Sequence, residues 1–132
     1  MNPLTVLIID DSEIIREKLV SQLSRIPNVS VAGQAGTVAD AVRAFNNSSP
    51  HVVVLDMQLG DGKGFDVLKE IKRRHGNTTV VMFTNCPALE FRKQSLESGA
   101  DLFLEKGQGF TVLSDFLSWL ARERNRTAQA GM

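Results

Sequence analysis

Five side chains in this 132-residue sequence have types and positions that suit joint chemistry: the acid pair Asp10-Asp11, a solitary Asp56, the hydroxyl of Thr84 and the ammonium of Lys106. Each stands at the end of a short apolar run, so the fold that gathers those runs decides whether the five meet. Three carboxylates drawn into one partly desolvated space repel and raise one another's proton affinity, so the cluster calls for a cation. Mg²⁺ is the expected cofactor, because it accepts a few carboxylates and fills its remaining positions with water or phosphate oxygens. Asp56 is the candidate nucleophile: it stands alone before a glycine-rich stretch, and a carboxylate can form an acyl phosphate. Around a phosphoryl group the remaining residues have natural tasks, since such transfer depends on positioning and on neutralising the equatorial oxygens. Lys106 would pair with one oxygen, Thr84 would donate its hydroxyl to another, and Asp10 with Asp11 would hold the metal and its waters.

Taken singly, none of these residues is diagnostic. Asp10, Asp11 and Ser12 precede a helical pattern and equally suit capping of its free amides. Thr84 alone reads as an ordinary strand residue, and Lys106 alone as a solvated surface charge. The joint signal is what counts: four strand ends carry an acid pair, an acid, a hydroxyl and a lysine.

The elements that must position them alternate in type. Leu4 to Ile9 is an almost unbroken run of leucine and β-branched residues, the signature of a central parallel strand buried on both faces. Helical spacing then places Ile15, Leu19, Leu23 and Ile26 on one stripe, ended by Pro27-Asn28. An extended Val29 to Ala35, a helix around Val38, Val42 and Phe45, and a buried run His51 to Leu55 repeat the pattern. Gly60, Gly62 and Gly64 make a flexible connection to a helix bearing Phe65, Leu68 and Ile71, and Thr79 to Phe83 is a fourth strand. Pro87 suits the first turn of a fourth helix that Gly99 ends. Asp101 to Glu105 is a short fifth strand. The last helix buries Leu113, Phe116, Leu117 and Leu120 and has Arg122, Arg124 and Arg126 toward its carboxyl end, where cations meet the helix dipole favourably. A frayed tail is expected from 127 to 132. Right-handed crossovers then make a three-layer, doubly wound α/β fold with a five-stranded parallel sheet, and its ligand site lies beyond the carboxyl ends of the strands.

Composition narrows the class. The chain has 15 basic and 15 acidic residues, so no global field draws it to nucleic acid or to an anionic membrane. Its single cysteine, Cys86, excludes an internal disulfide and reads as a small space-filler in a reducing compartment. The apolar runs are strand-sized and no export segment is evident, so a cytoplasmic location and no membrane contact are expected. His51 and His75 suggest neither a metal pair nor a dyad. In the fourth helix, Leu89 and Leu96 share one stripe while Phe91 falls on the other side, so whichever side is exposed is a candidate partner surface.

Over residues 4 to 123 the chain resembles the receiver domain of bacterial two-component response regulators, of the single-domain kind found in chemotaxis. The likeness rests on Leu7-Ile8-Ile9-Asp10-Asp11-Ser12, Val53-Val54-Leu55-Asp56-Met57-Gln58-Leu59, Met82-Phe83-Thr84, and Gly99-Ala100-Asp101 followed by Phe103 and Lys106. It implies a flavodoxin-like fold of strand order 2-1-3-4-5, with a receiver domain over 1–126 and a flexible tail over 127–132. It further implies phosphotransfer to Asp56 from a histidine kinase or a histidine phosphotransfer protein, with Mg²⁺ held by Asp11, Asp56 and the main-chain carbonyl of Gln58. A switch in which Thr84 and Phe103 rearrange together, an unidentified downstream protein target, and a monomer or weak dimer are implied as well. The chain departs from the family at Gly60 and Gly107, where proline is usual, and at Asn85, where a small residue such as alanine is usual. The family's bond before the second proline is commonly cis, which before Gly107 would cost about 2.5–4 kcal/mol.

On this reading the protein is a signalling module that assists its own phosphoryl transfer and loss, not an enzyme acting on a separate substrate. The rivals are a phosphatase with an aspartyl-phosphate intermediate and an inactive scaffold of the same fold. Gln58 stands where the phosphatase would need its general acid, and a scaffold would have no use for all five site residues.

Overall fold

A computed structural model describes residues 2–85 and 88–130. Five parallel strands form the central sheet: β1 (Leu4–Ile9), β2 (Val29–Ala35), β3 (Val52–Leu55), β6 (Thr79–Thr84) and β7 (Leu102–Glu105), in the order β2-β1-β3-β6-β7. The expected order 2-1-3-4-5 is met, since β6 and β7 are the fourth and fifth strands of this sheet. Five helices join them: α1 (Glu13–Leu23), α2 (Val38–Ser48), α3 (Gly64–Arg74), α4 (Leu89–Glu97) and α5 (Lys106–Ala130). A short antiparallel pair, β4 (Gln58–Leu59) with β5 (Gly62–Lys63), occupies what the sequence suggests is a flexible connection.

The period of two along each strand sorts the core into two layers. Leu7, Ile9, Val53, Leu55, Val80 and Met82 meet Phe45 of α2 and Val67, Leu68 and Ile71 of α3 on one face. Val6, Ile8, Val52, Val54, Val81 and Phe83 meet Leu19 and Leu23 of α1 and Leu113 and Leu117 of α5 on the other. Every residue of β3 is buried, which fits its place at the middle of the sheet.

Helix boundaries follow local chemistry. The Ser12 hydroxyl accepts from the Ile15 amide and caps α1, and Thr37 does the same for Asp40 at the start of α2. Gly99, at φ 108°, takes the left-handed conformation that follows α4. Several boundaries differ from expectation. α1 ends at Leu23, so Ile26 packs on the core from a turn rather than from the helix. α5 runs to Ala130, so residues 127–130 are helical, and Arg122, Arg124 and Arg126 lie inside the helix rather than in its last turn. Residues 127–130, expected as tail, continue α5, since nothing between 106 and 130 is proline. Pro87, expected to begin the fourth helix, and Cys86, read as a space-filler, lie outside the described residues.

On α4 the two apolar sides resolve clearly. Phe91 turns inward to Phe65, with ring centroids 6.3 Å apart, while Leu89 is 78% exposed and Leu96 42% exposed. No helix among the described residues is long and apolar enough to cross a membrane. None of their peptide bonds is cis.

Two neighbours on α5 provide a test of the layer assignment. Leu113→Ala is expected to cost about 2–5 kcal/mol in chemical denaturation, because Leu113 is fully buried. Val112→Ala, at a position 47% exposed, is expected to stay within about 0.5 kcal/mol.

Candidate functional site

Parallel register brings the strand ends to one edge. Ile9 pairs with Leu55, Leu55 with Met82, and Thr84 with Glu105, so the residues that follow these positions emerge side by side. Main-chain bonds latch the emerging loops: the Asp10 amide donates to the Ala35 carbonyl and the Asp56 amide to the Ile9 carbonyl, both at 2.9 Å. Asp10, Asp56, Thr84 and Lys106 are all buried there. Asp11 is exposed at the rim.

Lys106 is the first residue of α5 and bridges two acids. Its Nζ lies 2.6 Å from Asp10 Oδ2 and 3.1 Å from Asp56 Oδ2. The second oxygen of each acid is also satisfied, Asp10 Oδ1 by the Ser12 amide at 2.9 Å and Asp56 Oδ1 by the Met57 amide at 2.7 Å. Such charge-assisted bonds hold the side chains in fixed orientations. Of the two readings of the acid pair, the structure shows the local one: Asp10 accepts from the Ser12 amide and orders the turn into α1, and the same side chain faces Lys106.

Carboxylate oxygens of Asp10, Asp11 and Asp56 lie within 4.8 Å of one another, a grouping that could hold a metal ion. All the donors are hard oxygens, which suits a small divalent cation. Burial, and then the neighbouring Asp10 charge, push the Asp56 carboxyl above its ordinary range, against the pull of Lys106 and the Met57 amide. Burial disfavours the Lys106 ammonium, but its bond to Asp10 and the charges of Asp56 and Asp10 outweigh this and leave its pKa raised. The single cation of Lys106 therefore leaves part of the acid repulsion uncompensated.

The other expected residues fall nearby. Gln58 begins β4, two residues after Asp56, with its side chain exposed. Phe103 sits in β7, partly buried against the layer of α2 and α3. His51 and His75, to which no role was assigned, are at the other end of the sheet: His51 Nδ1 accepts from the Thr5 amide at 2.9 Å, and His75 meets Phe45 edge-on.

Three supporting residues escape a reading of the sequence alone. The Gly64 amide donates to the Met57 carbonyl at 2.7 Å, and a Cβ at position 64 would lie 2.0 Å from the Asp56 carbonyl oxygen. Only glycine fits there, so Gly64 serves close approach rather than flexibility. Arg16 donates to the Asp10 carbonyl at 2.7 Å and steadies that loop from α1. Asp61 accepts from the Val38 and Ala39 amides, which ties the loop after Asp56 to the start of α2 and holds the Asp61 carboxyl below its usual range. Of these, only the Gly60-Gly62-Gly64 pattern left a sequence signal, and the pattern does not say which glycine is under pressure.

Comparison with known proteins agrees with this geometry. A family model described as "Response regulator receiver domain" matches residues 6–118. The DNA-binding transcriptional activator DevR/DosR of Mycobacterium tuberculosis is 31% identical over 101 residues, covering 76% of this chain and 46% of the relative. The response regulator GacA of Pseudomonas protegens is 28% identical over 108 residues, covering 82% and 51%. The chain thus spans about half the length of these curated relatives. Among solved structures, the signal receiver domain of the putative response regulator NarL from Mycobacterium tuberculosis superposes with a TM-score of 0.84 at 25% identity, covering 92% of this chain and 98% of that one. A CheY-like receiver domain protein from Methanospirillum hungatei, at 21% identity and TM-score 0.81, shares the fold over 95% and 98% of the two chains.

Two substitutions test the site. Gly64→Ala forces the Asp56 carbonyl to move and is expected to destabilise by at least about 1–3 kcal/mol in denaturant titration. Asp56→Asn should raise the melting temperature at neutral pH in metal-free buffer. A carboxyl whose folded pKa is raised loses stability as pH rises through that value. The gain should therefore shrink as pH falls through the carboxylate range, and a variant no more stable at pH 7 than the natural chain would contradict the charge balance described.

Proposed function

Because the chain belongs to the response regulator receiver family, we propose that it is a phosphorylation-dependent switch whose acceptor is Asp56. The observation that carries the reading is the shared grip of Lys106 on Asp10 and Asp56 at the sheet edge. It leaves a nucleophilic carboxylate oriented by the Met57 amide, beside a cation suited to the anionic product and within reach of two further acids.

On this reading Asp10, Asp11, Asp56 and the main-chain carbonyl of Gln58 would hold Mg²⁺, which would neutralise phosphoryl oxygens and lower the mutual repulsion of the acids. The chain's own residues do the rest. Asp56 Oδ attacks the phosphorus of a phosphohistidine on a kinase or phosphotransfer protein, the P–N bond breaks, and the imidazole leaves. Lys106 pairs with one oxygen of the transferred group and Thr84 donates its hydroxyl to another. Recruitment of Lys106 and Thr84 to the phosphoryl group changes the load on β6 and β7, and Phe103 rearranges with them, so that a downstream protein meets a different surface.

Incubation with Mg²⁺ and acetyl phosphate, followed by intact mass, is expected to show a single hydrolysable phosphate adduct that Asp56→Asn lacks. Lys106→Met is expected to slow adduct formation by about 10²–10³-fold. An adduct that persists in Asp56→Asn would overturn the assignment of the acceptor.

A further inference from the structure

A second concave site lies at the amino-terminal end of the sheet, away from Asp56. It is a cleft of about 630 Å³ where β1, β3 and β6 begin, under the last turns of α5. The size is that of a small-molecule site, and its floor of Leu4, Phe45, Val52 and Leu120 is apolar, as such sites usually are. Among the polar residues on its wall, which include Ser49, His75, Asn77 and Thr127, two set the charge chemistry. Nε of Arg124 is buried with no hydrogen-bond partner, and Arg124 forms no ion pair among the described residues. Its neighbour Glu123 also lines the cleft, but that carboxylate is taken by Arg126 at 2.6 Å. His51 is the other group. A main-chain amide can only donate, so the bond from the Thr5 amide makes Nδ1 an acceptor and puts the proton of the neutral ring on Nε2. Burial, and then the charge of Arg124, hold the His51 pKa below its ordinary value.

We propose that this cleft binds a small organic anion, with its charged oxygens between the Arg124 guanidinium and the His51 Nε2–H and its apolar body on the Leu4, Phe45 and Leu120 floor. A guanidinium that lines a mostly apolar cleft and has no ion-pair partner among the described residues is an uncompensated cation, which an anion entering the cleft would neutralise. Water would solvate the cation but leave the apolar floor wet, whereas a carboxylate on a hydrophobic body matches both parts. A carboxylate also suits the planar fork of arginine, which is charged at all accessible pH values. This site is independent of the phosphoacceptor, because it draws on none of the residues at the other edge.

The test uses the full chain and 4-fluorobenzoate as the probe, followed by ¹⁹F NMR and by the His51 ring resonances. Saturable binding in the millimolar range or tighter is expected, with 4-fluorobenzamide, the neutral counterpart, at least about tenfold weaker. Arg124→Gln should weaken the benzoate by a similar factor of about ten, and Arg43→Gln, at an arginine that does not line the cleft, should leave it unchanged. Equal binding of acid and amide, no saturable binding, or full affinity in a folded Arg124→Gln would overturn the proposal. The acid-against-amide comparison is made on the natural chain, so it decides the matter even if Arg124→Gln fails to fold.

Discussion

The bridge from Lys106 to Asp10 and Asp56 is the constraint on which the carboxyl edge of the sheet depends. Two acids emerge from adjacent central strands into a space that excludes most water, where a buried carboxylate is costly unless a positive partner meets it. Lys106 comes from the edge of the sheet, beyond β6, so its reach ties β1, β3 and β7 together at one point. The main-chain latches from Asp10 to Ala35 and from Asp56 to Ile9 carry the same connection to β2. The arrangement is thus both a scaffold and a poised charge imbalance, with more acid than its single lysine can neutralise.

Most of the fold was legible because its signals are periodic. Runs such as Val52 to Leu55 read as buried strands, and the alternation of strand and helix dictates parallel topology once right-handed crossovers are required. The acid, hydroxyl and lysine positions followed from that topology alone, for each is the first polar residue after a strand or the strand's last. What was hidden depends on contacts distant in sequence or on boundaries without markers. Gly64 looks like its neighbours Gly60 and Gly62, and only the approach of the Asp56 carbonyl distinguishes it. Arg16 resembles any polar residue on a helix surface until the Asp10 carbonyl is found beneath it. The end of α5 was missed because no proline or glycine stops it before 131, and the end of α1 because a continued stripe at Ile26 imitates a helix.

α5 gives the molecule a spine between two unlike ends. It begins with the residue that neutralises the acids and, 18 residues on, carries Arg124 at the opposite end of the sheet, about 27 Å away along the helix axis. Leu113, Leu117 and Ala121 fasten it to the sheet between these points. Each end of this one helix places a cation at a partly desolvated site, although the chemistry differs: an acid cluster at one end, and an arginine without an acid partner among the described residues at the other.

The position of β7 has a further consequence, for the time scale on which the molecule responds. β7 is hydrogen-bonded on one side only, to β6, and its residues are half-buried or exposed, whereas β3 is enclosed on both sides and on both faces. Opening a cooperative unit costs least where few apolar contacts must be broken, so amide hydrogens along β7 exchange with solvent sooner than those of β3. The strand that holds Phe103 and delivers Lys106 is therefore a more compliant path out of the acid cluster than β3. On the proposed reading, a redistribution of charge at Asp56 would be absorbed as motion at this edge, while the central strands keep the acids in place.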